Sequence, residues 1–222
     1  MNKKSKVIVA GGTGLVGSAL LNLLLDDENI EEVISVVRKQ TNKNHPGLKE
    51  LIVDFDQLEN YKNELTGDAI FCCLGTTIKK AKTKENFKKV DYRYPLELAK
   101  VAFENEVPNY HIITAMGSDS NSSIFYNRVK GEVEEAISQY DFESLNIYRP
   151  SLLMGDREES RPGENFGIIL AKVLNPLMLG PLRKYRGIDI NDVARTIYLT
   201  FKNPKKGKHI FLSDEIYDIA RK

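Results

Sequence analysis

The sequence predicts an α/β fold, a doubly wound parallel sheet with a small C-terminal lobe. Three observations carry that prediction. Short β-type runs alternate with stretches of helical periodicity, a glycine-punctuated turn joins the first run to the first helix, and the 222 residues are 41% apolar, enough for one sizeable core. A chain that returns to the same end of a parallel sheet must cross over by a helix, so strict alternation implies helices on both faces. We read one domain over 1–222, with the sheet core in 1–150 and the lobe in 151–222.

The first strand is the run Val7 to Ala10. Gly11 to Gly17 then turn the chain, and Leu15, Val16, Ala19, Leu20, Leu23 and Leu24 follow at helical spacing. Further strands are expected at Val33–Val37, Leu51–Phe55 and Ala69–Leu74, with a helical stretch between the last two. A long helix fits Glu85–Glu106, bent near Pro95, before a strand at Tyr110–Thr114, a helix at Phe125–Tyr140 and a strand at Ser144–Tyr148. Beyond Arg149-Pro150 the pattern becomes charged loops, a helix near Phe166–Leu174, breaks at Pro176 and Pro181, and a helix near Val193–Phe201. A segment that short makes a marginal core alone, so it is expected to lie over the ligand edge of the sheet.

Charge and cysteine content exclude several classes. With 32 basic against 31 acidic side chains the net charge is +1, which supplies no global field for nucleic acid or anionic membranes. Cys72 and Cys73 are adjacent in an apolar run, so they form neither a disulfide framework nor the separated pairs of a metal site, and they read as small core hydrophobes. A cytoplasmic protein is expected. The basic start, Met1 to Lys6, leads into a strand rather than a signal peptide. The stretch Gly167–Gly180 is interrupted by Lys172, Asn175 and Pro176 and is shorter than the ~20 residues of a membrane span. Lys79, Lys80, Lys82, Lys84, Lys88 and Lys89 form the densest charge run, which reads as a solvated face in preference to a phosphate or partner site.

The chemistry begins at Gly11, Gly14 and Gly17. With 15 glycines in the chain, such a G-x-x-G-x-x-G triple is expected by chance only about 0.07 times. Its place between strand and helix suits a backbone that approaches a pyrophosphate, received by the free N–H groups of the helix start around Thr13, Leu15 and Val16. At the end of the second strand, where a ribose 2′-hydroxyl would meet a carboxylate, stand Arg38 and Lys39. A guanidinium there suits a 2′-phosphate and favours NADP over NAD, unless the two cations merely open a solvated loop. Asp54 and Phe55, closing the third strand, lie where an adenine ring would sit, though an ordinary strand-end aspartate explains Asp54 equally well. Cys73, Leu74, Gly75 and Thr76 leave the fourth strand at the same edge. Tyr126 and Lys130 share a helix face, a pairing that suits proton donation to a carbonyl. About one such pair is expected by chance, and Tyr198 with Lys202 makes a second, but only the first follows the fifth strand behind the hydroxyl-rich loop Thr114 to Ser123.

Glycine turn, basic residue, hydroxyl loop and Tyr-x-x-x-Lys helix together resemble the short-chain dehydrogenase/reductase superfamily, whose fold is Rossmann-like. Phe71 to Thr77, Lys130 to Glu134 and Asp156 to Glu164 are similar to stretches of the atypical Tat-interacting-protein family. The resemblance implies an NADPH-dependent oxidoreductase for a small carbonyl or alcohol. On this chain it sets Arg38 near the 2′-phosphate, Asp54 near adenine, and the Gly75 region with Pro150 and Leu153 along the nicotinamide side. Lys130 would bind ribose and acidify Tyr126, the proton donor. Two departures stand out: Ala115 occupies the usual serine position, which leaves Thr114 as the substitute hydroxyl, and Asp91 stands where an asparagine of the proton relay is usual. An NADPH-binding regulatory protein with vestigial chemistry therefore stays open as a second reading, with the lysine-rich run as its partner surface. Arg157, Glu159 and Arg161 are candidates for a polar substrate, and pairing of two copies through the long helices is a further expectation of the resemblance.

Overall fold

Apolar strands buried on both faces and joined by crossover helices have one economical arrangement, and the chain adopts it. A computed structural model describes residues 4–155 and 180–222. The strands are β1 (Ser5–Ala10), β2 (Ile30–Val37), β3 (Leu48–Ile52), β4 (Ala69–Cys72), β5 (Asn109–Ile113), β6 (Ser144–Arg149), β7 (Leu153–Met154), β8 (Ile188–Asp189) and β9 (Gly207–Leu212). Seven form one sheet in the order β3-β2-β1-β4-β5-β6-β9, every neighbouring pair parallel, while β7 and β8 make a separate two-stranded parallel ribbon.

The helices are α1 (Leu15–Leu25), α2 (Ile78–Ala81), α3 (Lys84–Lys88), α4 (Tyr94–Glu104), α5 (Phe125–Ile137), α6 (Ile190–Lys202) and α7 (Ser213–Ala220). One face of the sheet buries Ile8, Ile70 and Ile112 against Leu98 and Val101 of α4 and Val133 and Ile137 of α5. The other buries Val7, Val9 and Phe71 against Leu20 and Leu24 of α1 and Val193 and Ile197 of α6. Each such side chain, fully removed from water, contributes roughly 1.5–3 kcal/mol.

Three expectations are corrected. The third strand ends at Ile52, and Asp54 caps a following 3-10 segment (Phe55–Glu64) by accepting from Asp56 N–H at 2.9 Å, so Asp54 and Phe55 open that segment instead of closing β3. The long helix Glu85–Glu106 is two helices joined through a π turn, Lys89–Arg93, and Pro95 sits in the first turn of α4, directly after that π turn. The segment after Arg149 is also more than a lobe. Its last part returns to the sheet, β9 pairing with β6 along Ser144–Arg149 and α6 covering the α1 face. The helix expected at Phe166–Leu174, the motif Asp156–Glu164 with its charged residues, and Pro176 lie outside the described residues. Among the described residues no helix is long and apolar enough to cross a membrane.

Candidate active site

Strand order reverses between β1 and β4, and a crevice opens at their carboxyl ends. A cleft of about 830 Å³ occupies it. Its floor is the turn after β1. Gly11 takes φ +88°, a left-handed conformation, and its carbonyl accepts from Gly14 N–H at 2.9 Å. A Cβ on Gly17 would lie 2.2 Å from that carbonyl oxygen and 3.2 Å from the Cys73 Cβ. The turn can therefore close only with glycine at positions 11 and 17. Gly14 is the N-cap of α1 and supplies no side chain to its first N–H groups. Those donors, with the positive end of the helix behind them, suit a diphosphate.

Thr13, Gly14, Leu15, Val16 and Gly17 line one wall, and Cys73, Leu74, Gly75 and Thr76 the other. Burial pushes the Cys72 thiol up to about 11 and the Cys73 thiol further still, so both stay protonated. Gly11 is part of the floor beneath the cleft. Arg38 and Lys39 are exposed just beyond Val36, the register partner of Ala10, at the same edge but off the cleft wall. Asp54 and Phe55 do not border the cleft, and the Phe55 ring packs on Tyr94 at 5.3 Å. Leu153 lines it, whereas Pro150 is buried behind it, its carbonyl accepting from Met116 N–H at 2.9 Å.

The α5 helix brings Tyr126 and Lys130 to the same cleft. The Tyr126 ring leans on Phe87 at 5.6 Å. The Lys130 ammonium is 2.8 Å from Asp91 Oδ1, with side-chain exposures of 6% and 1%. Burial alone would lower the Lys130 pKa, but the adjacent Asp91 charge reverses the effect and leaves it above the ordinary lysine value. The other Asp91 oxygen accepts from Thr76 N–H at 2.9 Å.

Thr114 requires a correction. It lines the cleft, but its hydroxyl donates to Glu134 Oε1 at 2.6 Å, with Tyr148 O an alternative at 3.3 Å. Both partners are acceptors: Tyr148 offers a carbonyl oxygen, and Glu134 a carboxylate that also takes the Arg149 guanidinium. Thr114 has no proton left for a substrate carbonyl. Ser118 is similarly engaged, donating to Ala115 O at 2.6 Å. Tyr126 is thus the side-chain hydroxyl placed to donate among those singled out.

The second Tyr-x-x-x-Lys pair has a structural role. Tyr198 O–H donates to Asp27 Oδ2 at 3.1 Å and Lys202 Nζ binds the same oxygen at 2.7 Å, docking α6 beyond the far end of α1. Ser18, Thr77, Lys80, Asp91, Ile113, Ser151, Leu152 and Ile190 also line the cleft. Among them Asp91 carried a signal in the sequence, as a departure from the resemblance, and Lys80 as a member of the lysine run. Ile190 arrives with a segment whose return to the sheet has no local signature. Lys80 alone of the lysine run faces the cleft, while Lys88 pairs with Glu132 and Lys89 with Asp56.

The model of the NAD dependent epimerase/dehydratase family matches residues 7–220. Protein HTATIP2 of Rattus norvegicus is 35% identical over 168 residues, 74% of this chain and 69% of that protein. Protein FMP52, mitochondrial, of Eremothecium gossypii is 33% identical over 220 residues, 96% of each chain. The Bordetella bronchiseptica enzyme WbmH in complex with NAD+ superposes with a TM-score of 0.72 at 16% identity, over 95% of this chain and 76% of that one. The oxidoreductase ylbE from Lactococcus lactis does so with a TM-score of 0.67 at 19% identity, over 96% and 95%. These two structures speak for the fold, and the sequence relatives for descent. A tight glycine turn beneath an uncapped helix start, a crevice at the strand-order reversal and a family match along nearly the whole chain agree, and the chain belongs to the NAD dependent epimerase/dehydratase family as an atypical short-chain dehydrogenase/reductase.

Proposed function

We propose that the protein is an NADPH-dependent oxidoreductase that acts on a small carbonyl or alcohol. One observation carries the reading: Tyr126 and Lys130 open onto the same cleft as the glycine turn. The uncapped start of α1 receives the diphosphate, and Arg38, at the same edge with no carboxylate at its position, favours a 2′-phosphate. A reduced nicotinamide bound in this cleft supplies hydride. The protein's part is then to hold the substrate oxygen against the Tyr126 phenol, which gives up its proton to that oxygen as the carbonyl is reduced. Lys130, anchored by Asp91, stays charged beside it. The experiment is calorimetric titration with NADPH and NADH for the native chain and Arg38→Ala, together with turnover of Tyr126→Phe on a carbonyl panel. NADPH is expected to bind more tightly, the gap to shrink in Arg38→Ala, and Tyr126→Phe to keep cofactor but lose reduction. Equal affinities overturn the cofactor choice.

A specific observation favours a second reading. The Thr114 and Ser118 hydroxyls are both engaged internally, so the usual second donor to the substrate oxygen is missing. On that reading the protein binds NADPH as a regulatory signal with little turnover. NADPH binding without oxidation across the panel selects it.

A further inference from the structure

We propose that Asp91 is a positioning residue for the Tyr126–Lys130 pair, a carboxylate that fixes the ammonium of α5 to the loop leaving β4 and keeps it charged. The inference rests on the cleft reading above and adds a residue to it. Asp91 lies in the π turn Lys89–Arg93, an irregularity of the kind that re-aims a side chain at functional sites. One oxygen takes Lys130 at 2.8 Å and the other the N–H of Thr76 at 2.9 Å, so three elements meet on one carboxylate. The pair sits against Gly75: a Cβ built there would stand 3.5 Å from Asp91 Oδ1 and 3.9 Å from Lys130 Nζ, ordinary contact distances. Both charges are almost fully buried, and a buried ammonium without its counter-ion tends to release its proton.

The groups that act on Lys130 are Asp91 from the π turn, Tyr126 from its own helix and Cys72 from β4, with Lys80 of α2 on the same cleft wall. Asp91 is the carboxylate among them. An asparagine is not equivalent: it carries no charge, and with its oxygen turned to either Thr76 N–H or Lys130 its amino group faces the other donor.

The test follows the Lys130 13Cε resonance through a pH titration, with Lys130→Arg to assign it, in the native chain and in Asp91→Asn. NADPH affinity is measured in parallel. In Asp91→Asn the Lys130 midpoint is expected to fall by at least about one pH unit, and NADPH to bind roughly tenfold more weakly, a loss of about 1.4 kcal/mol. An unchanged midpoint with NADPH affinity within about twofold overturns the proposal, whatever happens to the melting temperature. Should Asp91→Asn fail to fold, Asp91→Asn/Lys130→Met, which removes both charges, is expected to fold, and failure of that double variant also overturns it. The lysine titration needs no cofactor. A native chain that ignores NADPH therefore defeats the oxidoreductase reading while the midpoint shift still decides the role of Asp91.

Discussion

The Cα of Gly17 lies against the carbonyl of Gly11, so close that a Cβ would stand 2.2 Å from its oxygen. No backbone oxygen can yield that far without opening the turn. Gly17→Ala is therefore expected to cost at least about 1–3 kcal/mol, lowering the melting temperature by several degrees, and to abolish dinucleotide binding. Gly14→Ala separates the two effects. Its Cβ would meet only the Gly11 oxygen, at 3.3 Å, yet it would project at the cleft wall. Thermal shift should show it nearly as stable as the native chain and NADPH titration should show weakened binding. Normal binding in Gly14→Ala would remove the close approach of ligand to backbone.

Tyr198 and Lys202 are expected to matter for stability and not for the cleft. Asp27 is half-buried, which alone would raise its pKa, but Lys202, both Asn29 donors and Tyr198 overcome that and hold it well below the ordinary carboxylate range. Lys202→Met leaves that carboxylate without its cation and should cost about 1 kcal/mol, read by urea unfolding, with NADPH affinity unchanged. Because the folded value is depressed, the stabilisation is complete above the unfolded value near 3.9 and disappears as pH falls through the folded one. The variant should thus show less loss of stability below about pH 4 than the native chain.

The strand-turn-helix start, the alternation of strands and helices, and the Tyr126/Lys130 face were legible because each is local: glycine spacing, apolar runs and a four-residue interval. Strand β9 was not. Gly207-Lys-His-Ile-Phe-Leu212 is an edge strand with exposed Lys208 and half-buried His209, and its charge reads as loop until β6 supplies a partner. The two Tyr-x-x-x-Lys pairs share one spacing, and chain order alone separated them, since only Tyr126 and Lys130 follow the fifth strand; that Tyr198 and Lys202 meet on Asp27, far away in sequence, was not legible. Thr114 illustrates a third kind. Its hydroxyl type and position suited a donor, but direction depends on Glu134 and Arg149, which approach from α5 and β6.

His111 predicts a pH dependence of its own. It is buried on β5 between Phe71, Phe201 and Tyr148, its Nδ1 2.9 Å from the Tyr148 hydroxyl, and burial lowers its pKa to about 3. The unfolded chain titrates it near 6.5. The unfolded state therefore binds the proton first, so full stability holds above about pH 6.5 and falls with acid by up to about 1.4 kcal/mol per pH unit, until the folded value is reached. Urea unfolding between pH 7 and 4 should show this slope, and His111→Gln should flatten it whatever its stability at pH 7. An equal slope in that variant would assign the acid sensitivity to the carboxylates.

Thr114→Val tests the buried network directly. Removing the hydroxyl takes a 2.6 Å donor from the Glu134 carboxylate, which is left with Arg149 in a buried site. A loss of about 1–3 kcal/mol is expected, largely restored in Thr114→Ser, because serine offers the same proton. Dinucleotide affinity, set at the glycine turn and Lys130, should stay within about twofold. A Thr114→Val chain that melts like the native protein would show that the hydroxyl does not serve Glu134, and would return Thr114 to the substrate oxygen as a donor beside Tyr126.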